Sequence, residues 1–146
     1  MSITLNKFLK RKGYSSVKLI FLETKHYSLS ATINGKSGRF ILDTGASNSC
    51  ICNTLEINFN IISKETTEKA SSATSEIGNT KISKNNTIQI GKWENKINLL
   101  TFDMSHINHA LNEKKINSVS GIIGADVLKK SKAILDYKSN KLYIKL

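Results

Sequence analysis

Phe40-Ile41-Leu42-Asp43-Thr44-Gly45-Ala46-Ser47 is the stretch on which the reading of the whole chain turns. A short apolar run bounded by turn residues is the pattern of a buried strand. It delivers one carboxylate, Asp43, into a tight turn whose Gly45 permits backbone conformations that side-chain-bearing residues resist. The bland alternative is a strand ending in an ordinary polar turn, because Asp-Thr-Gly is short enough to arise by chance. The surroundings favour a functional site. Strand-forming residues precede the motif, a β-prone stretch follows Ala46-Ser47, and a second apolar-apolar-glycine element, Ile122-Ile123-Gly124, lies about eighty residues downstream.

Together these elements resemble the retropepsin-like aspartic proteases, over roughly residues 26 to 146. The resemblance implies a mainly β fold, a single-lobe closed β-barrel with short helices. It implies that Asp43 is catalytic and that Thr44 and Gly45 support its loop, Thr44 by bracing two such loops across a dimer axis. It also implies a peptide-binding surface of Ala46 and Ser47 beside the carboxylate, Ser72, Ala73 and Thr74 in a flap, and Ile122, Ile123 and Gly124 in the active-site wall. Viral members often pair an Asp shortly after the motif with an Arg after the second glycine. The matching positions here hold Ser47 and Ala125, so both partners of that ion pair are missing together. The N-terminal helix described below and the Asn/Lys-rich composition resemble cellular, bacterial members more than viral ones.

At 146 residues the chain suits one domain able to bury a core without disulfides or metals. We divide it into a helical extension, residues 1–16, and a protease domain, residues 17–146. Lys and Arg number 22 against 11 for Asp and Glu, a net charge of +11, which attracts acidic partners weakly. The densest basic group, Lys7, Lys10, Arg11 and Lys12, lacks interleaved aromatics and reads as a solvated helix face rather than a nucleic-acid site. No run approaches the ~18 apolar residues of a membrane span, and no signal peptide is evident, so the expectation is a cytoplasmic protein without membrane partners. Cys50 and Cys52 would share one face of a strand as free thiols. His26, His106 and His109 show no zinc-ligand spacing, and neither a metal nor another cofactor is expected.

Taken in order, residues 2–12 read as a short amphipathic helix stopped at Gly13, and Val17 to Leu22 as a strand. Tyr27 to Ile33 and Arg39 to Leu42 form a hairpin through Asn34-Gly35, both tolerant of positive φ. Ser49 to Ile51 continues as a strand, Asn53 or Thr54 caps a brief helical turn, and Ile61 and Ile62 are core. The small polar residues between Thr66 and Ser83 read as the flap, with its tip at Ser72 to Thr74 or nearer Gly78. Thr87 to Gly91 and Ile97 to Phe102 are strands, with Trp93 a packed surface aromatic. Ser105 caps a helix from His106 to about Lys114, and Asp126 caps another from Val127 to Ser131. Ala133 to Tyr137 and Lys141 to Leu146 close the chain as a hairpin.

Peptide hydrolysis by this chemistry uses two carboxylates sharing one proton. The chain supplies one candidate. Asp103-Met104-Ser105 lacks the glycine, and Asp126 and Asp136 lack the Thr/Ser-Gly turn. A symmetric homodimer supplies the second copy of Asp43 and completes the site. The expected activity is therefore that of a dimeric aspartic endopeptidase. The competing readings are a catalytically silent module that grips peptide without cutting it, and a small basic nucleic-acid-binding protein. Because Ala46 offers no hydroxyl to the carboxylate, where pepsin-like enzymes commonly carry Ser or Thr, the expected optimum is less acid than pepsin's.

Overall fold

The apolar runs around the motif have no alternation because both faces of their strands are buried, each against a different core. In the computed structural model, which describes residues 2–65, 70–72, 75–77 and 80–146, Phe40 and Leu42 point into one hydrophobic cluster while Ile41 points into another. Ile51 likewise joins the first, and its neighbours Cys50 and Cys52 the second. The period of two is present in the packing and hidden in the composition.

The chain begins with α1 (Leu5–Arg11), whose N-terminus is capped by Thr4 Oγ1 accepting from Lys7 N–H at 3.2 Å. Gly13, at φ +86°, ends it, and only Leu9 of the helix is buried. The single strand expected over Val17 to Leu22 is two strands, β1 (Tyr14–Lys18) and β2 (Ile20–Phe21). They part at buried Leu19 because they serve different sheets. The hairpin of β3 (Tyr27–Ile33) and β4 (Lys36–Leu42) turns through Asn34 at φ 49° and Gly35 at φ 83°, the backbone that a two-residue hairpin loop requires.

Next come β5 (Cys50–Cys52), a 3-10 turn (Asn53–Leu55) and β6 (Lys64–Glu65). Ile61 is buried as expected, but Ile62 is 89% exposed: the irregular segment between the turn and β6 turns only one of the two inward. A separate hairpin, β7 (Ala70–Ser72) with β8 (Ser75–Ile77), stands where the flap was expected, and its last pair is Ser72 with Ser75. Ala73, Thr74 and Gly78 lie outside the described residues.

Two long strands follow, β9 (Lys81–Ile90) and β10 (Trp93–Phe102). Trp93 is not on the surface but 6% exposed, packed in the first core at the start of β10. Helix α2 (Ser105–Glu113) covers the second core with Leu111. Ser105 does not cap it. Asp103 Oδ1 accepts the Ser105 N–H at 2.8 Å, and this bond holds the Asp103 carboxyl below its ordinary pKa.

The chain then forms β11 (Gly121–Ile123), α3 (Ala125–Lys130), β12 (Ile134–Asp136) and β13 (Lys141–Lys145). Strands β3, β4, β11, β5, β10 and β9 are neighbours in that order, and β9 pairs back onto β3 through Thr32–Gln89 and Ile33–Ile88, closing a barrel. Asn34 secures the closure: its Oδ1 accepts from Thr87 N–H at 2.9 Å and its Nδ2 donates to Asn86 Oδ1 at 2.9 Å. A second, three-stranded sheet runs β1-β13-β12. Among the described residues, no helix is long and apolar enough to cross a membrane.

Candidate active site

The position of Asp43 follows from an unusual insertion. Strand β11 enters between β4 and β5, running parallel to the first and antiparallel to the second. Such a place is open only to a strand whose backbone comes very close to its neighbours. A Cβ on Gly121 would stand 2.0 Å from the Cys50 carbonyl oxygen, and one on Gly124 would stand 2.5 Å from that of Ala46. Both are backbone contacts that cannot swing aside. These two glycines are therefore needed for space.

The pairing continues past the strand ends into the Asp-Thr-Gly turn. Asp43 N–H donates to Ile123 O at 3.0 Å, and Ala125 N–H donates to Ala46 O at 2.7 Å. Within the turn, Ala46 N–H donates to Asp43 O at 3.1 Å, and Gly45 N–H donates to the carboxylate oxygen Asp43 Oδ1 at 2.9 Å. The carboxylate is half-buried, Thr44, Gly45 and Ser47 are exposed, and Ala46 is buried. Gly45 does not adopt a left-handed conformation, contrary to the expectation from sequence. Its use is room: a Cβ there would lie 3.3 Å from Asp43 Oδ1, crowding the carboxylate that its own N–H holds.

Ser49 is the residue that sequence reasoning missed. Fully buried, it sits where the Asp43 turn passes into β5. Its Oγ donates to Asp126 Oδ1 at 2.7 Å and accepts from Gly124 N–H at 2.8 Å, while its own N–H donates to Asp126 Oδ2 at 3.0 Å. Asp126 also accepts the Val127 N–H at 2.8 Å, but it stands inside the first turn of α3, whose N-cap is Gly124. The expected cap is thus chiefly a brace between α3 and the turn carrying Asp43. A single sequence gives no signal for a contact between positions 77 residues apart.

Of the residues expected at the site, Asp43 to Ser47 and Ile122 to Gly124 are brought together by this crossing. Ile122 is half-buried and Ile123 fully buried in the barrel core, so Ile122 is the one of the pair with exposed surface. Ser72 belongs to the separate β7–β8 hairpin. Burial pushes the Cys50 thiol up to about 12, with the nearby carboxylates of Asp126 and Asp43 adding to the effect. Cys50 and Cys52 are both free thiols. Among the described residues, no three His, Cys, Asp or Glu side chains converge as a metal site would require. What the turn offers chemically is one carboxylate, steadied by a backbone N–H on one oxygen, on an exposed edge of a rigid crossing.

A closed barrel threaded by such a crossing is the retropepsin-like fold. The chain belongs to the aspartyl protease family, whose sequence model matches residues 29–127, more than half of its length. Among solved structures it is similar to a retropepsin-like aspartic protease from Rickettsia conorii, at 18% identity and a TM-score of 0.62, covering 90% of each chain. It is also similar to the EIAV protease in complex with the inhibitor HBY-793, at 18% identity and TM-score 0.58, covering 80% of this chain and 98% of that one. The retroviral protease-like domain of Ddi1 from Leishmania major follows at 17% identity and TM-score 0.53, covering 80% and 86%. A comparison with curated protein sequences finds no match.

Proposed function

We propose that the protein is an aspartic endopeptidase whose active site is completed by a second copy of the chain. The observation that carries this reading is the Asp43 carboxylate itself, held by Gly45 N–H at 2.9 Å on an exposed turn that β11 and Ser49 fix from behind. Such a carboxylate is built to meet something.

Two copies related by a two-fold axis bring Asp43 against its counterpart. Like charges in contact do not both ionise easily, so the pair retains one proton over an intermediate pH window. The ionised carboxylate takes a proton from water as that water attacks the scissile carbonyl, and the protonated one polarises the carbonyl oxygen. Exposed Thr44 braces the two turns across the axis. An extended peptide lies between a floor that includes Ala46, Ser47, Ile122 and Gly124, and a lid to which the β7–β8 hairpin contributes Ser72. Residues 1–16 are an extension to this unit, which occupies 17–146.

The test is cleavage of a diverse peptide library from about pH 3 to about pH 8, comparing the parent with Asp43→Asn and adding a statine-type transition-state mimic. The substituted side chain keeps an oxygen for the Gly45 N–H but cannot hold the shared charge. Cleavage that is inhibited by the mimic and lost in a variant that remains dimeric supports the proposal. A correctly folded dimer that binds peptide without cutting any would replace it with a binding module.

A further inference from the structure

We infer that the cavity between the 3-10 turn after β5 and the start of β9 is a binding site for a small zwitterion, of the size and charge of a free α-amino acid. The inference does not depend on whether the Asp43 turn cuts peptides.

The cavity has a volume of about 250 Å³ and is lined by Asn53, Thr54, Glu56, Lys81 and Thr101. None of these belongs to the Asp43 turn or to β11. Among the described residues every lining side chain is polar or charged, whereas a dry gap left by imperfect core packing is walled by apolar groups. Pockets for drug-sized molecules run to about 300–1,000 Å³, so this one takes something smaller.

Thr101 supplies the observation that points to a ligand. It is 1% exposed, and its Oγ1 has no hydrogen-bond partner among the described residues. Buried hydroxyls are nearly always paired, because an unpaired one forfeits the bonds it made to water. Strand register sets where this one points. Thr101 stands directly opposite Lys81 in the β9–β10 pair, so the two side chains leave the sheet on one face, the face on which the cavity lies.

The charges of the cavity are fixed without being joined. Ser63 Oγ donates to Glu56 Oε1, which holds that carboxylate at the end of the 3-10 turn. Lys81 opens β9 and is held by pairing with Glu65 of β6 as well as with Thr101. Among the described residues the one ion pair is His109 Nε2 with Glu113 Oε1 at 3.1 Å, so Lys81 and Glu56 share a cavity without meeting. A purely anionic ligand would face Glu56 and a purely cationic one Lys81. A molecule carrying both signs suits both: its carboxylate accepts from Lys81 Nζ and the Thr101 hydroxyl, and its ammonium donates to Glu56 and the Asn53 side-chain oxygen. Because Lys81 also pairs with β6, a bound molecule ties the foot of the segment carrying the β7–β8 hairpin to the turn after β5.

The probes are L-serine, N-acetyl-L-serine, which lacks the ammonium, and L-serinamide, which lacks the carboxylate. Each is titrated into isotope-labelled protein and followed by backbone amide shifts, in the parent and in Thr101→Val, Glu56→Gln, Lys81→Met and Asp43→Asn. L-serine should give saturable shifts around residues 53–56, 81 and 101. Each analogue, and each of the three cavity variants, should bind about 10-fold or more weakly, since each removes a hydrogen bond to a charged group. Asp43→Asn should bind as the parent does. Thr101→Val keeps the shape of the side chain and removes a hydroxyl without a protein partner, so its urea midpoint should stay level or rise, and its weaker binding is not a loss of folding. No saturable shift up to the solubility limit of L-serine would mean a cavity filled by water only and overturns the inference. Analogues that bind as tightly as L-serine, or binding that survives all three cavity variants or is lost in Asp43→Asn, overturn it as well. So does a Thr101→Val midpoint well below the parent's, because the hydroxyl would then be satisfied within the fold.

Discussion

Ser49 Oγ donates to Asp126 Oδ1 at 2.7 Å and accepts from Gly124 N–H at 2.8 Å, joining α3, the end of β11 and the exit of the Asp43 turn through one buried hydroxyl. Ser49→Ala leaves the buried Gly124 N–H without its acceptor, a loss of about 1–3 kcal/mol in urea unfolding. Because Asp126 binds the same hydroxyl, Ser49→Ala and Asp126→Ala should not add. A double-mutant cycle should show a coupling on the order of 1 kcal/mol or more. Additive effects would mean that the two residues act independently.

The crossing of β11 makes a second prediction about glycines that look equivalent in sequence. Ala at Gly121 or Gly124 drives a Cβ into a backbone carbonyl, at 2.0 Å and 2.5 Å respectively, and the strands must part. Ala at Gly35 meets nothing within 4 Å and suffers only from its φ of +83°. The left-handed conformation costs about 1–2 kcal/mol, whereas overpacking against fixed neighbours costs typically about 1–3 kcal/mol and more where nothing can move. Urea midpoints should therefore fall most for Gly121→Ala, then Gly124→Ala, and least for Gly35→Ala. Equal loss at all three would remove the close-approach argument.

Features legible in the sequence were those whose cause is local. Asn34-Gly35 specifies its turn through backbone preference, and the apolar run 40–42 specifies a strand wherever it packs. The turn carrying Asp43 was legible because its residues are contiguous in sequence. The illegible features depend on partners far along the chain. Leu19 splits an apparent strand because β1 and β2 are claimed by different sheets, and Trp93 is buried because β10 closes against the barrel. Ser49 read as the start of a strand and Asp126 as a helix cap, and only the insertion of β11 brings them together.

The buried thiol of Cys50 makes stability fall at high pH. Its pKa in the fold is about 12 against an ordinary 9.0, so between those values the unfolded chain has lost a proton that the folded chain still holds. Stability is then fully present below about pH 9 and declines as pH rises, by about 1.4 kcal/mol per pH unit for this one group. Cys50→Ala should flatten that slope in urea titrations above pH 9, while leaving a small destabilising cavity at every pH. The parent thiol should also react slowly with a thiol reagent under native conditions and quickly in urea. Rapid native reaction at Cys50 would contradict its burial.

Ala46 sets the last expectation, which concerns the acid side of the activity profile. On the proposed reading, the paired Asp43 carboxylates titrate in two macroscopic steps and activity follows a bell. Ala46 is buried against the turn and brings no hydroxyl to the ionised carboxylate, so the optimum should be less acid than pepsin's. Ser at this position adds a donor next to that charge. Hydrogen bonds to charged groups contribute about 1.5–3 kcal/mol, and one pKa unit corresponds to about 1.4 kcal/mol, so Ala46→Ser should move the acid limb down by about one to two pH units. The basic limb, which reports loss of the shared proton, should move in the same direction or stay, because a donor favours the ionised form throughout. The measurement is kcat/KM against pH for both proteins on one cleaved peptide. An acid limb unchanged by the hydroxyl would show that position 46 does not reach the dyad, and a parent optimum below about pH 3 would refute the pKa argument itself.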